Sequence, residues 1–458
     1  MKKIISLSLI FCMIFLIFSA CQGNADINNE PVEEEIAYDF NGYEYTIIGY
    51  QRFGRFEVGP NFEEENTYWG EKLYNRYREL EQKYNIKITV KQDDGTLASS
   101  IATATPYADL MDTWLNTLNG YIKADYVMPI NGISGFEDLY SGKWGPKTTI
   151  DAVTRGDNTY GFRAGYHGIP FPTYSGIIYA NAVVMKAFDI KPFELIEQRK
   201  WTWDNFTDAC VKIGGSYDDP DNIVSFVFDD SWSDYFMRAA IMSNGVDFVK
   251  IDDDGKYIFN LDHPDAMEAL NWVMDFKQKI GSAVVSGEKL ADPNGPRTFP
   301  IFQDNKLGFV CQYSYTGTSD NVGFNYFDVD FYILPFPMGP KGEYGKWGSY
   351  ISFADRYFSV PITADEDVNN VVLKEIYKPF DGGTEYSWRD NMTQNMFLYP
   401  ESAKYFFEMY DNAKYDFTEI TEKIPWQPIL KGTTTPAEGI AKVKEACQTA
   451  IDTLYNND

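Results

Sequence analysis

Along the first third of the chain, short β-branched runs alternate with stretches whose apolar residues recur every three to four positions. Tyr43 to Tyr50 (YEYTIIGY) has the apolar centre of a buried strand. The spacing Trp69, Leu73, Tyr77, Leu80, Tyr84 predicts a helix, and Ile86 to Val90 (IKITV) alternates like a second strand. A strand, a helix and a strand so spaced form a βαβ unit, which calls for a parallel sheet and a right-handed crossover. A crossing punctuated by Gly165, Gly168, Pro170 and Pro172 then leads to a buried strand at Gly176 to Tyr179. Asn181 opens a helical stretch that Pro192 ends, and Trp201 and Trp203 lead into a helix at Asp204.

The later pattern is as readable. Asn222 to Tyr235 (NIVSFVFDDSWSDY) predicts a strand running into an acidic and aromatic turn, where Asp230, Trp232 and Tyr235 could reach a cleft. Lys250 to Leu261 contains DDDG, but aligning Gly255 with the sixth position of an EF-hand loop puts Lys250 first and Leu261 twelfth, where acids are required. A hairpin turn at Asp254-Gly255 fits instead. Asp262-His263-Pro264-Asp265 predicts a helix start with a capping acid, and Gly281 its end. Thr435-Pro436-Ala437-Glu438 is a capping box with proline at the first helical position, followed by an apolar face of Ile440, Val443, Cys447, Ala450 and Leu454.

Composition narrows the function. The chain has 458 residues, long enough for two or three folding units, and a formal net charge of -27, which disfavours a nucleic-acid partner. Aromatic residues make up 17%, more than packing alone needs, and the surplus suits a site that stacks the apolar faces of sugar rings. Residues 1–20 combine Lys2 and Lys3 with an apolar run and small residues before Cys21, as in a secretory signal. Residues 21–36 are polar and acidic, as in a flexible tether. Cys210, Cys311 and Cys447 lack any CxxC spacing, so they read as buried thiols, with one disulfide among them left open.

The chemistry of common enzymes is missing from the sequence. His167 and His263 are the only histidines, and there is no HExxH, GxSxG, GxxxxGK[ST] or strand-linked GxGxxG. No metal or cofactor is expected. A glycosidase needs only two carboxylates about 5 to 10 Å apart, so that alternative stays open.

Several of these stretches, taken together, resemble one family. The order of YG-x-P motifs, a strand ending in YAN, a helix and WTWDNF (201–206), together with NRYRELEQKYNIKITV (75–90), ADLMDTW (108–114), DFYILPFPMGPKG (330–342) and the closing TP-x-E helix, resembles the bacterial extracellular solute-binding proteins of family 1. Phe18-Ser19-Ala20-Cys21 likewise resembles a lipobox, with Phe where Leu is preferred, implying a lipidated Cys21. The resemblance implies an α/β fold of the type II periplasmic-binding-protein kind, two lobes with a ligand cleft between them. It implies lobe one at 37–165 plus 297–355 and lobe two at 166–296 plus 356–458. It also implies a monomeric, membrane-anchored receptor of an ABC importer, facing outward, that hands a carbohydrate to permease subunits. Ligand contacts are expected from Arg52, Phe53, Asp112, Trp114, Tyr174, Trp232, Tyr313 and Trp347. A glycan-active enzyme and a non-transport adhesion or peptide-binding lipoprotein are the alternatives.

Overall fold

The computed structural model describes residues 38–52, 55–56, 68–163, 173–215, 222–229, 234–281, 284–285, 298–318, 329–351, 355–378 and 387–456. The chain opens with β1 (Tyr43–Ile48), α1 (Tyr68–Tyr84), β2 (Ile86–Lys91), β3 (Leu110–Trp114), α2 (Leu115–Lys123) and β4 (Val127–Met128). It continues through β5 (Ile177–Asn181), α3 (Trp203–Ile213), β6 (Val224–Phe226), α4 (Asp234–Ser243), the hairpin of β7 (Val249–Ile251) and β8 (Tyr257–Phe259), and α5 (Pro264–Lys279). Next come β9 (Leu307–Gln312), β10 (Phe331–Pro335), β11 (Tyr350–Ile351) and β12 (Arg356–Pro361). It closes with α6 (Glu366–Ile376), α7 (Pro400–Asp411), β13 (Lys414–Tyr415), α8 (Trp426–Lys431) and α9 (Pro436–Ile451).

Two sheets organise these elements. The first has the order β2-β1-β3-β12-β4 and the second β6-β9-β5-β10. In the first, β1 pairs in parallel with β2 and β3, as the βαβ pattern requires, while β12 runs antiparallel to β3. In the second, β5 is fully buried and lies antiparallel to both neighbours, β9 and β10. Residues Phe40–Asp458 form one compact unit.

β9 hydrogen-bonds along β5 and β6, and β10 pairs with β5 on its other edge, so these strands lie in the second sheet. β12 lies in the first sheet. β5 thereby has both of its edges paired.

Local chemistry sets the helix starts. Thr435 and Glu438 complete their capping box, and Asn181 caps the following helix by accepting from the amides of Val183 and Val184. At α5 the cap is His263, whose Nδ1 accepts from the Asp265 amide at 3.2 Å; the expected acid, Asp262, instead pairs with Lys444. Thr202 caps α3, so that helix starts at Trp203. Asp252 accepts from the amides of Asp254 and Lys256 to close the DDDG hairpin. Cys210, Cys311 and Cys447 are buried and free.

Much of the aromatic surplus is core. Trp203 stacks on Trp272 at 4.4 Å, Phe236 on Phe276 at 5.5 Å, and Phe206 packs against Phe309 at 5.1 Å, filling the space between α3, α4, α5 and the second sheet.

Two segments connect the sheets and are paired where they leave each one. Phe162 and Phe358 exchange both backbone hydrogen bonds at the first-sheet end, as do Ser175 and Tyr350 at the second-sheet end. Between these bridges, Arg163 and Asp355 form a buried ion pair. At the second end the backbones approach so closely that a Cβ on Gly176, at φ +87°, would sit 2.6 Å from the carbonyl oxygen of Gly348. Gly176→Ala should therefore cost about 2 kcal/mol or more, from left-handed strain and a backbone clash together. Urea unfolding checks this, and a loss within about 0.5 kcal/mol would show that the crossing can give way.

Candidate functional site

In both sheets the carboxyl ends of the parallel strands point toward the crossing, the position where open α/β sheets gather ligand groups. Two side-chain clusters occupy these ends.

The first cluster is built from β1, β3 and β12. Tyr50, two residues beyond β1, and Trp114, at the end of β3, are both partly exposed and meet edge to face at 5.1 Å. Arg356 stands across from Trp114 in the strand register, with its guanidinium 4.5 Å from the Tyr50 ring and 5.8 Å from that of Trp114. Its Nε donates to Asp112 at 3.0 Å, and a second contact makes the pair bidentate. Both members are buried. A guanidinium fork held by a carboxylate and flanked by two rings is a rigid, desolvated platform. It leaves two aromatic rims partly open.

The second cluster is built from α4, the residues after β9, and β13. Tyr235 meets Tyr313 edge to face at 4.6 Å, and Tyr313 stacks on the partly exposed Tyr315 at 5.5 Å. Arg238, one turn along α4, lies 2.8 Å from Asp234 and donates to Asp416 at 2.6 Å. Asp416 also accepts from the Thr418 hydroxyl at 2.7 Å, while its amide donates to Ile351 in the crossing strand β11. Arg238 and Asp416 are buried, and the Asp234 side chain retains 19% exposure. Burial raises the Asp416 carboxyl to about 7, against the opposing pull of Arg238 and the Thr418 hydrogen bond, with Glu419 adding a further upward push. Burial likewise raises Asp234, again opposed by Arg238.

A third group ties the first sheet to the C-terminal elements. Asn119 on α2 donates to the Tyr415 hydroxyl at 2.9 Å and to Glu419 at 2.6 Å, and it accepts from Arg155 at 2.8 Å. Arg155 also covers the Tyr455 ring at 4.4 Å.

The expected contact residues divide three ways. Asp112, Trp114 and Tyr313 fall in the two clusters, Asp112 through its pairing with Arg356. Tyr174 and Trp347 are buried parts of the core: the Tyr174 hydroxyl donates to the Phe406 carbonyl at 2.7 Å, and the Trp347 indole donates to Glu408 at 3.2 Å between Tyr344 and Tyr405. Neither ring has a face to offer. Phe53 and Trp232 lie outside the described residues, as does the side chain of Arg52, whose backbone pairs with Arg55. Tyr50, Asp234, Arg238, Tyr315 and Arg356 were not anticipated. Tyr50 carried a signal, as the aromatic that ends the YEYTIIGY run.

No group of three or more His, Cys, Asp and Glu side chains among the described residues could hold a metal ion. Among the described residues no helix is long and apolar enough to cross a membrane.

Comparison with known proteins agrees with this architecture. The profile of the family described as bacterial extracellular solute-binding protein matches residues 59–364. No curated protein matches the sequence. Among solved structures, a sugar transporter protein of Rhizobium etli in an open conformation superposes with a TM-score of 0.63 at 11% identity, covering 89% of this chain and 99% of its own. The cyclic alpha-maltosyl-1,6-maltose binding protein of Arthrobacter globiformis gives 0.61 at 14% identity, covering 91% and 100%. An ABC transporter solute-binding protein of Thermotoga lettingae bound to alpha-D-tagatose gives 0.59 at 16% identity, covering 90% and 100%. At these identities the likeness establishes the fold, that of type II periplasmic binding proteins.

The second cluster makes stability depend on pH. A carboxyl raised on folding holds its proton more tightly in the native state, so its contribution is full below the ordinary carboxylate range and is lost as pH climbs through about 7. Asp416→Asn should therefore flatten the fall in unfolding free energy between roughly pH 4 and pH 7. Denaturant titrations across that range check this, and an equally steep fall in the variant would remove Asp416 as the cause.

Proposed function

The chain belongs to the bacterial extracellular solute-binding protein family, and from that premise we propose that it is the carbohydrate receptor of an ABC importer. In this reading the two clusters are the walls of a cleft. The Tyr50 and Trp114 rims stack on sugar faces, and the partly exposed Tyr315, backed by the buried Tyr313, supplies a further apolar surface. The single observation that carries the reading is the pairing of partly exposed aromatics with arginine-held carboxylates at the strand ends beside the crossing. Sugar recognition needs that combination of flat apolar faces and fixed acceptors. Several of the structurally similar proteins carry sugar ligands or sugar-binding names, which supports the same ligand class.

Binding works by closure. A ligand that touches both walls only in the shut state shifts the hinge equilibrium toward it by its difference in affinity for the two states. The paired crossing segments are the hinge, and the shut form is what the permease subunits recognise. With an aromatic cluster on each wall, an oligosaccharide is the ligand this reading expects. Lipidation of Cys21 at the end of the leader, followed by the acidic stretch 22–35, would hold the receptor at the outer face of the membrane. The carboxylates of both clusters are engaged by arginine, and Asp112 and Asp416 are enclosed, which disfavours proton transfer to a ligand and so favours a receptor over a glycosidase.

Thermal-shift screening against mono- and oligosaccharides and peptides tests the proposal, since a ligand specific to the native state raises the melting temperature. Sugars should raise it; shifts confined to peptides would contradict the carbohydrate reading. Trp114→Ala should weaken the best sugar about tenfold or more, about 1.4 kcal/mol, with the fold intact by circular dichroism. Unchanged affinity would take Trp114 out of the site. Cys21→Ser should move the protein from the membrane fraction to the medium, and continued membrane retention would exclude the lipid anchor.

A further inference from the structure

Resting on the carbohydrate reading, we propose that Asp234 is the ligand-reading carboxylate of the second wall, and that it restricts the ligand to neutral or amino-bearing sugars, excluding uronic acids and sugar phosphates. The argument begins with charge. Each arginine described at the crossing is already engaged by a carboxylate: Arg163 by Asp355, Arg356 by Asp112, and Arg238 by both Asp234 and Asp416. The first two pairs match one cation with one acid, and in the last Arg238 faces two acids, Asp234 and Asp416. Asp416 is wholly buried behind Arg238, whereas Asp234 keeps exposed surface. An anionic ligand would thus meet the Asp234 carboxyl while these three arginines are already held by acids. It would also approach a chain of net charge -27.

Position adds to charge. Asp234 opens α4 directly before Tyr235, whose ring meets Tyr313. Its charge adds to the burial that raises the Tyr235 hydroxyl and the Cys311 thiol, and to the burial that raises the Tyr350 hydroxyl against the opposing pull of Arg238. The carboxylate therefore sits in the corner between α4, the end of β9 and the crossing strand β11.

A second, independent feature of that corner also suits hydroxyls. Gln312 Oε1 and Thr316 Oγ1, on either side of the Tyr313 to Tyr315 stretch, belong to buried side chains and have no hydrogen-bond partner. Buried polar atoms are usually satisfied, and an amide oxygen and a hydroxyl are neutral groups that hydroxyl or amino donors would satisfy. Arg238 is here a positioning residue: it fixes the Asp234 rotamer from one turn along the helix and links it, through Asp416, to β11.

The test uses the mature wild-type protein on a carbohydrate array of neutral, amino, uronic and phosphorylated oligosaccharides at physiological salt. The sugar bound most tightly is then titrated by calorimetry into wild type and Asp234→Asn. The expected result is a neutral or amino-bearing best ligand, with about a tenfold or greater loss of affinity in the variant. A uronic or phosphorylated best ligand would overturn the inference while leaving the carbohydrate reading in place. Affinity within about twofold in Asp234→Asn would remove Asp234 from the contact. Binding to no glycan at all would instead defeat the underlying carbohydrate reading. The ligand-class result on wild type stands even if the variant folds poorly.

Discussion

Two lengths of backbone are tied to each other where they leave each sheet, and the rest of the structure depends on that constraint. They are tied at one end by the bridge between Phe162 and Phe358 and at the other by the bridge between Ser175 and Tyr350. Close packing at the second end admits only glycine at position 176. Because both sheets present the carboxyl ends of their parallel strands to this crossing, loops and helix starts from either side converge on it. That geometry determines which side chains can face one another.

Buried ion pairs give this region its order. Removing one member of such a pair is expensive because it strands the other in a low dielectric, so each pair restricts the conformations of the elements it joins. Arg356 with Asp112 fixes β12 against β3, and Arg163 with Asp355 fixes the crossing segments together. Arg238 with Asp234 and Asp416 joins α4 to the segment that runs along β11. Polar order at the crossing and apolar packing in the flanking cores are complementary. The cores hold each sheet rigid, and the charged pairs decide how the sheets meet.

The parts that could be read from sequence were those in which local chemistry settles local structure. The capping box at Thr435, the N-cap at Asn181 and the turn at Asp254-Gly255 each need only neighbours within four residues. The βαβ start was equally readable, since period and length carry it. Strand partners were harder: nothing within β9 states that it pairs with β5. Site residues divided for a similar reason. Trp114 ends a strand and stays partly open, whereas Tyr174 and Trp347 have the same composition signal but find buried partners, Phe406 and Glu408, more than sixty positions away in sequence in both cases. Asp234 was missed because its significance comes from Arg238 and Asp416, and the latter is 182 positions downstream.

The central claim is that ligand is held by bringing the two sheet assemblies together about the paired crossing. Fluorescence energy transfer between dyes at Lys123→Cys, at the end of α2, and Lys279→Cys, at the end of α5, reports their separation directly, because both positions are exposed. Saturation with a bound sugar should shift transfer efficiency cooperatively, with the same midpoint as binding. Full occupancy by calorimetry with no change in transfer would contradict closure.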